Sequence, residues 1–386
     1  MDKLKSMLGL NKTTEKNSGA LNLNSSTSEL NNNVSHKMLG QFGKSTMVDS
    51  PFSLVEALSL LLCGLSSRTL AEVCEGFGLT QSNMKSTLSE LTNLHHLLTK
   101  SKTVMLSNTV LSKKEVQLKS TYLDAVKKTA QHEYFDKSMV STLVEKVNSL
   151  VEKNTKGMIT KLLNPEDVND DTFLILLNTI YFKSNWSTKF LGSNTWSRDF
   201  YGTTGKRQEK MMSLSEETFK YCKTSEFQML EMLYEDLEFC FGVVLPTDKS
   251  SKPLLLNHAE LTESWKNMKF EDVNVVLPKF TQETEIDLIP FFKSLGIYKL
   301  FEDMDADNMI ENKKDRAYVS VIRQKAKIIV DEDGTEASAA TAVVCMLESC
   351  CYREPRTIPN FVADHPFMFY IRHIRSGLLL FSGVYQ

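Results

Sequence analysis

The segment Val330–Ala342 constrains this chain more than any other; it reads Val-Asp-Glu-Asp-Gly-Thr-Glu-Ala-Ser-Ala-Ala-Thr-Ala. It begins as the end of a strand, with Ala326, Ile328 and Val330 alternating with Lys325, Lys327 and Ile329. Three acids and a glycine follow, and then a run in which every residue but Glu336 is small. Such a run lacks the bulk to build a core strand of its own. Yet Thr335, Ala337, Ala339 and Thr341 share one face at strand spacing. A proline-free segment with one small face can slide between existing strands without clashing. That is what a loop needs if it is to become a strand later.

The rest of the sequence narrows the class. A chain of 386 residues can bury a large core, and length alone predicts two or three domains. No Pro/Gly/Ser-rich linker, internal repeat or charge block divides it. Residues 12–33, rich in Asn, Ser and Thr, read as a flexible leader, so the expected division is a leader over 1–30 and one domain over 31–386. A net charge of -3 gives no reason to expect nucleic acid or an anionic membrane as partner. No apolar run is long enough to span a bilayer, and Met1–Gly19 lacks the apolar core of a signal peptide. The expected location is the cytoplasm, or export without a signal peptide.

Helices are expected at Pro51–Gly64, with Ser50 as cap, and at Thr69–Glu75, Gln81–Thr99, Ser120–Thr129 and Ser138–Asn154. Strands are expected at Phe173–Phe182, Phe239–Leu245, Val273–Leu277, Val319–Val330, Phe367–Ile371 and Leu378–Val384. Helices early and long strands late give an α+β protein with helices packed on sheets.

Little in the chain reads as catalytic or metal-binding. Seven cysteines leave at least one thiol unpaired. Cys63, Cys74, Cys222 and Cys240 lie in or beside apolar runs and read as small buried hydrophobes. Cys345, Cys350 and Cys351 share what reads as an exposed loop, where free thiols survive best in a reducing compartment. His365 and His373 flank a strand instead of joining them, so no zinc pattern results and no metal is expected. Asp303, Asp305 and Asp307 alternate, but no Gly or distal Glu completes a calcium loop, and a solvated turn is expected. His95-His96 read as the polar edge of a Leu-rich helix. No phosphate loop, Gly-x-Ser-x-Gly or His-Glu-x-x-His occurs, and no cofactor is expected.

A set of segments has a more specific reading. In order, they are Ser50-Pro51-Phe52-Ser53, Thr155-Lys156-Gly157-Met158-Ile159, Asn178 through Trp186, and Leu277-Pro278-Lys279-Phe280. Then come Asp287-Leu288, Leu295-Gly296-Ile297, Glu332 through Ala337, Phe361 through Phe367, and Leu380-Phe381-Ser382-Gly383. Together, in this order, they resemble the serpins along nearly the whole chain after the leader. The final segment and the missing signal peptide resemble the ovalbumin-like, intracellular branch.

The resemblance implies one domain of three β-sheets and about nine helices, with a reactive-centre loop over about 334–360. It implies an inhibitor of serine, or cysteine, endopeptidases rather than an enzyme. The target protease attacks the loop and forms an acyl-enzyme ester. The cleaved loop then inserts as a new strand of the main sheet and carries the protease with it; serpin insertion is an established example of strand addition and stored strain. Roughly ten inserted residues at ~0.5–1.5 kcal/mol per hydrogen bond make such a trap effectively irreversible. The expected partner is a serine protease held covalently by a monomer, with polymerisation by loop insertion as a side path.

On this reading the hinge is Gly334, Thr335, Glu336, Ala337, Ser338, Ala339, Ala340 and Thr341. Gly334 is expected as a pivot of unusual backbone angle, and Thr335 as the first side chain taken into the sheet. The inward face is Thr, Ala, Ala, Thr, and the one charge, Glu336, points outward. Counting forward from Gly334 at the family's spacing gives a reactive bond at Glu348–Ser349, with Leu347 and Met346 as alternatives; counting back from Pro366 gives Arg353–Glu354. The sheet-opening region maps to Ser50, Ser53, Asn178, Trp186 and Gln324. Most serpins carry a His where this chain has Gln324, which leaves the closure of the sheet and its pH response open. The rival readings are a non-inhibitory serpin acting as carrier, chaperone or structural protein, and a redox or metal-binding module built on the loop cysteines.

Overall fold

Ser50 and Pro51 fix the start of the central helix. The Ser50 hydroxyl accepts from the Ser53 backbone N–H at 3.1 Å, and proline suits the first turn because its missing N–H would be unpaired there anyway. In the same way, Thr80 and Asn83 cap the long helix after Leu79 by exchanging side-chain bonds with each other's backbone.

The computed structural model describes residues 26–101, 103–169, 171–249, 252–312, 316–335 and 357–386. The α-helices among them are α1 (Ser26–Phe42), α2 (Pro51–Leu62), α3 (Ser67–Phe77), α4 (Gln81–Lys100), α5 (Ser120–Val126), α6 (Val140–Asn154), α7 (His258–Asn267) and α8 (Ile289–Ser294). The first strands are β1 (Met47–Asp49), β2 (Val104–Lys113), β3 (Gln131–Phe135), β4 (Leu174–Phe182), β5 (Ser184–Asn185), β6 (Thr195–Gly202), β7 (Gly205–Lys223) and β8 (Phe227–Leu233). They are followed by β9 (Phe239–Pro246), β10 (Lys269–Pro278), β11 (Phe280–Asp287), β12 (Val319–Val330), β13 (Gly334–Thr335), β14 (Asn360–Val362), β15 (Phe367–His373) and β16 (Leu378–Tyr385).

Two hydrogen-bonded sheets result. The larger runs β1-β16-β15-β9-β8-β7-β10-β14, with β6 on the outer side of β7. It corresponds to two of the three sheets the resemblance implies, because the long strand β7 pairs β6 at its start and β8 at its end. The second, the main sheet, runs β3-β2-β4-β12 with β11 beyond β12 and the short pieces β13 and β5 at one end. Helix α2 is buried along nearly its whole length, and it packs against both β16 and β4.

The expected strand Val319–Val330 has the bounds of β12, and Gln324, Ala326, Ile328 and Val330 form its buried face. Strands β7 and β11 were not expected. Their outward residues are charged because only one side faces the core, and the alternation of β7 is interrupted at Glu216, where φ is +57° and the pairing with β10 shifts register.

The leader differs from expectation. Helix α1 already begins at Ser26, so the flexible reading of 12–33 and the boundary at 30/31 do not hold for residues 26–33. Thr27, Ser28, Asn31, Asn32 and Ser35 are buried. Thr27 donates to Glu90, and the polar groups of Ser28, Asn31 and Asn32 meet backbone that the sheet leaves unpaired where β15 turns into β16. Asn31 donates to the Leu379 carbonyl at 2.9 Å and Ser28 to that of Ser376 at 2.8 Å. Asn32 donates to the Gly377 carbonyl at 2.9 Å and accepts from the Leu379 N–H at 3.1 Å. Polarity here serves burial, which composition alone cannot show. Asn32→Ala leaves both backbone groups unpaired and is expected to lower the unfolding free energy by about 2–4 kcal/mol in urea titration, with exposed Lys37→Ala near zero.

Candidate functional site

The centre of the main sheet is held by the first turn of α2. Gln324 projects from β12 into the core and is fully buried. Its amide donates to the Ser50 carbonyl at 2.7 Å, and its oxygen accepts from the Ser50 N–H at 3.0 Å. The Ser50 hydroxyl in turn donates to the Leu380 carbonyl at 2.6 Å. On the neighbouring strand β4, Asn178 lies opposite Gln324 and donates to the Ser53 carbonyl at 3.1 Å and to Asn108 on β2. One helix end therefore grips the two strands that meet at the middle of the sheet. The structure brings Ser50, Ser53, Asn178 and Gln324 together as expected, and the amide of Gln324 both donates and accepts. Asn108 continues inward to the buried Glu56 at 3.1 Å, which bonds His95 at 2.6 Å. The reading of His95-His96 as an exposed edge thus holds for His96 only.

The second part of the site lies at the end of the sheet. Trp186, just after β5, is buried and stacks on Tyr234 with ring centroids 4.8 Å apart. Its indole donates to the Asp331 carbonyl and its backbone N–H to the Asp333 carbonyl, both at 2.8 Å. The three acids before the glycine are all engaged. Asp331 accepts from the N–H groups of Asp333 and Gly334, Glu332 from Thr195 and Lys279, and Asp333 from Lys189. This turn reverses the chain so that Thr335 pairs with Val330 on one side and Ser184 on the other. The Thr335 side chain is fully buried, 2.6 Å from the Tyr234 hydroxyl. It is inside the sheet already.

Gly334 differs from expectation. Its φ is not in the left-handed region that favours glycine, so it is no pivot of unusual backbone angle. Glycine is required by space instead: a Cβ there would lie 2.2 Å from the Ser184 carbonyl oxygen and 2.6 Å from the Asn185 Cα. The remaining hinge positions Glu336, Ala337, Ser338, Ala339, Ala340 and Thr341 lie outside the described residues. So do Met346, Leu347, Glu348, Ser349 and Arg353, and the cysteines Cys345, Cys350 and Cys351.

Register links the two parts. Below Thr335, β12 and β4 pair directly and in parallel from Val319↔Leu174 to Lys327↔Tyr181. Gln324 and its partner Asn178 are 146 positions apart in the sequence, and so are Val330 and Ser184, which Thr335 bridges. The strands keep one axial alignment whether or not a strand lies between them.

Other acids have structural roles. Asp305 accepts from the Arg68 and Thr69 N–H groups, and Asp307 from the Ser66 hydroxyl, so the alternating aspartates serve the start of α3. Among the described residues no group of three His, Cys, Asp or Glu side chains is placed to hold a metal.

Sequence reasoning missed Tyr234 and Asp49. Nothing near Tyr234 marks it, whereas Asp49 is a lone acid between apolar Met47-Val48 and the helix cap, which is a readable signal. Asp49 is buried, accepts from the Ser382 hydroxyl, and has no partner for Oδ2 among the described residues. Burial pushes its carboxyl up to about 7. A carboxyl raised on folding contributes stability that is full below the unfolded value and lost as pH rises through the folded one.

The chain matches the family model described as Serpin (serine protease inhibitor) over residues 27–386. It is 31% identical to an uncharacterized serpin-like protein of Acanthamoeba polyphaga mimivirus over 92% of this chain and 88% of the relative. It is also 31% identical to Serpin B6 of Macaca fascicularis, over 90% of this chain and 94% of that one. Among solved structures, a highly specific serpin of the insect Tenebrio molitor superposes with a TM-score of 0.77 at 26% identity, covering 93% of this chain and 96% of that chain.

Two variants check this geometry. Gln324→Leu leaves the Ser50 N–H unpaired and removes one of the two bonds to the Ser50 carbonyl, which keeps the Leu54 N–H, and is expected to cost about 2–4 kcal/mol in urea unfolding. For Asp49→Asn, unfolding is measured at about pH 6 and about pH 8.5. The wild type is expected to lose stability over that interval and the variant to keep it; a parallel loss in both would remove Asp49 as the cause.

Proposed function

Because the chain belongs to the serpin family, whose members are mostly protease inhibitors, we propose that it inhibits serine endopeptidases as a suicide substrate. The chain itself is the bait and supplies no catalytic group. The serine hydroxyl oxygen of the protease attacks the carbonyl carbon of Glu348. The Glu348–Ser349 peptide bond breaks, an ester forms, and the proton leaves on the new amino group of Ser349. The freed loop then enters the main sheet behind Thr335 and carries the ester-linked protease along.

The observation that carries this reading is the seating of Thr335, between β12 and β5 and in the register that a longer insertion would continue. Extending that antiparallel pairing brings Ala337 opposite Ile328, Ala339 opposite Ala326 and Thr341 opposite Gln324. These positions share the Thr335 face, so small side chains meet the core and no charge is buried. At the far end Val319 would pair with Met346, two residues before Glu348. The pairing length therefore favours Glu348, with Leu347 and Met346 beside it, over Arg353, which leaves seven unpaired residues between Met346 and the bond.

A carrier or chaperone of the same fold gains nothing from a hinge small on its inward face, so that reading ranks second. The loop cysteines lie outside the described residues, and the described thiols add nothing to a redox module: Cys74 and Cys240 are buried as expected and Cys222 half-buried, each raised above the ordinary thiol range by desolvation, whereas Cys63, expected as a buried hydrophobe, is exposed. Free thiols fit a reducing compartment, so the location we favour is the cytoplasm, with export lacking a signal peptide as the alternative.

Thr335→Arg places a charge where the Tyr234 hydroxyl now closes a buried contact. We expect the loop to remain cleavable while the SDS-resistant adduct is lost, and Thr335→Ser to retain it. A persistent adduct with Thr335→Arg, read on a denaturing gel, would overturn insertion as the trapping step.

A further inference from the structure

Strand β6 is an edge, bonded only to β7, and it presents apolar surface that a solvated edge strand ordinarily avoids. Trp196 is 50% exposed and Tyr201 44%, and Leu191, just before the strand, is 59% exposed. Arg198 lies over the Trp196 ring at 5.7 Å and forms no ion pair among the described residues. At the other end Lys206 and Lys249 flank the Tyr201 ring at 6.0 and 5.7 Å. Both lysines are ion-paired, to Asp199 and Asp364, so the strand itself carries Trp196, Arg198 and Tyr201, residue types enriched where a few contacts dominate binding.

Its position is equally specific. Thr195, the first residue of β6, donates to Glu332 at 2.9 Å, on the stem that leads into the hinge. The Tyr201 N–H donates to the Asp364 carbonyl at 2.7 Å, on the stem that follows the loop. Both stems of the reactive loop are therefore tied to the two ends of this strand. A protein gripping the loop between those stems is brought against β6.

We propose that the exposed edge of β6, centred on Trp196 and Arg198, is a secondary docking surface for the target protease. It meets acidic and apolar side chains on the protease rim beside the cleft. The proposal rests on the inhibitory reading above and adds to it a basis for selectivity outside the scissile bond. Rim charges act mainly on the rate of encounter, so the surface speeds capture without entering the chemistry or the insertion. Self-pairing of β6 between two copies is a poorer use of the edge. A two-fold register centred on Arg198 or on Asp199 sets like charges opposite each other.

The test compares the full-length wild type with Trp196→Ala/Arg198→Glu against a glutamate-specific serine protease, chymotrypsin, trypsin and subtilisin, which cover the Glu348, Leu347, Met346 and Arg353 alternatives. For any protease that forms the adduct, the double variant is expected to lower the second-order rate of inhibition about tenfold and to weaken its dependence on salt. The fraction of encounters that end in adduct, and the melting temperature, stay at wild-type values, and Trp196→Phe retains most of the rate. An unchanged rate in the double variant, with the wild-type adduct intact, overturns the docking surface and leaves inhibition standing. A wild type that forms no adduct with any of the four overturns both.

Discussion

The first turn of α2 holds together the two strands on which the main sheet depends. Gln324 on β12 closes both backbone groups of Ser50, and Asn178 on β4 closes the Ser53 carbonyl. The Ser50 carbonyl also accepts from the Leu54 N–H, but the buried Ser50 N–H has Gln324 as its partner, and left unpaired it costs about 1–3 kcal/mol, more than a typical net hydrogen bond contributes. The attachment is therefore strong mainly because breaking it is expensive. It also explains why α2 is buried along its length: a helix end can hold two strands only from beneath the sheet.

The same region shows how one residue type changes what the sheet responds to. A His at position 324 would titrate near neutral pH; Gln324 cannot, so the link between β12 and Ser50 is indifferent to protons. Sensitivity passes instead to Asp49, one residue earlier, whose burial raises its carboxyl to about 7. The direction is that of a buried acid: ionisation strains the closed state as pH rises. Asp49 acts through β1, whose pairing with β16 includes Asp49↔Ser382. Its effect is on the platform under the sheet rather than on the strand contact itself.

What could be read from the sequence followed local chemistry. The Ser50-Pro51 cap, the alternation of β12 and the small face of the hinge are properties of short segments, and the structure has the first two as expected. The third is described only at Gly334 and Thr335. Alignment of segments with a family located Ser50, Ser53, Asn178 and Trp186, which spacing alone could not have brought together. Long-range partnership was hidden. Tyr234 meets Thr335 across about a hundred residues, and the Asn/Ser-rich start of α1 is ordered by carbonyl groups near the other end of the chain. Gly334 was identified correctly but for the wrong reason, because crowding by Ser184 and Asn185 has no local signature.

The register of the sheet limits how it can open. A new strand between β4 and β12 needs neighbours about 4.8 Å away on each side, so the two strands must separate by about another strand width. Their axial alignment need not change, since it is the same at Gln324↔Asn178 and across Thr335. Insertion as proposed would therefore part the strands sideways, without sliding. Hydrogen bonds of 2.7–3.1 Å cannot span a further strand width, so Gln324–Ser50 and Asn178–Ser53 cannot both survive on one helix turn. One strand must let go of α2 before the middle of the sheet can accept a guest. That makes the Thr335 seat, above the attachment, stable at rest: the sheet is parted where nothing holds it from beneath and closed where α2 does.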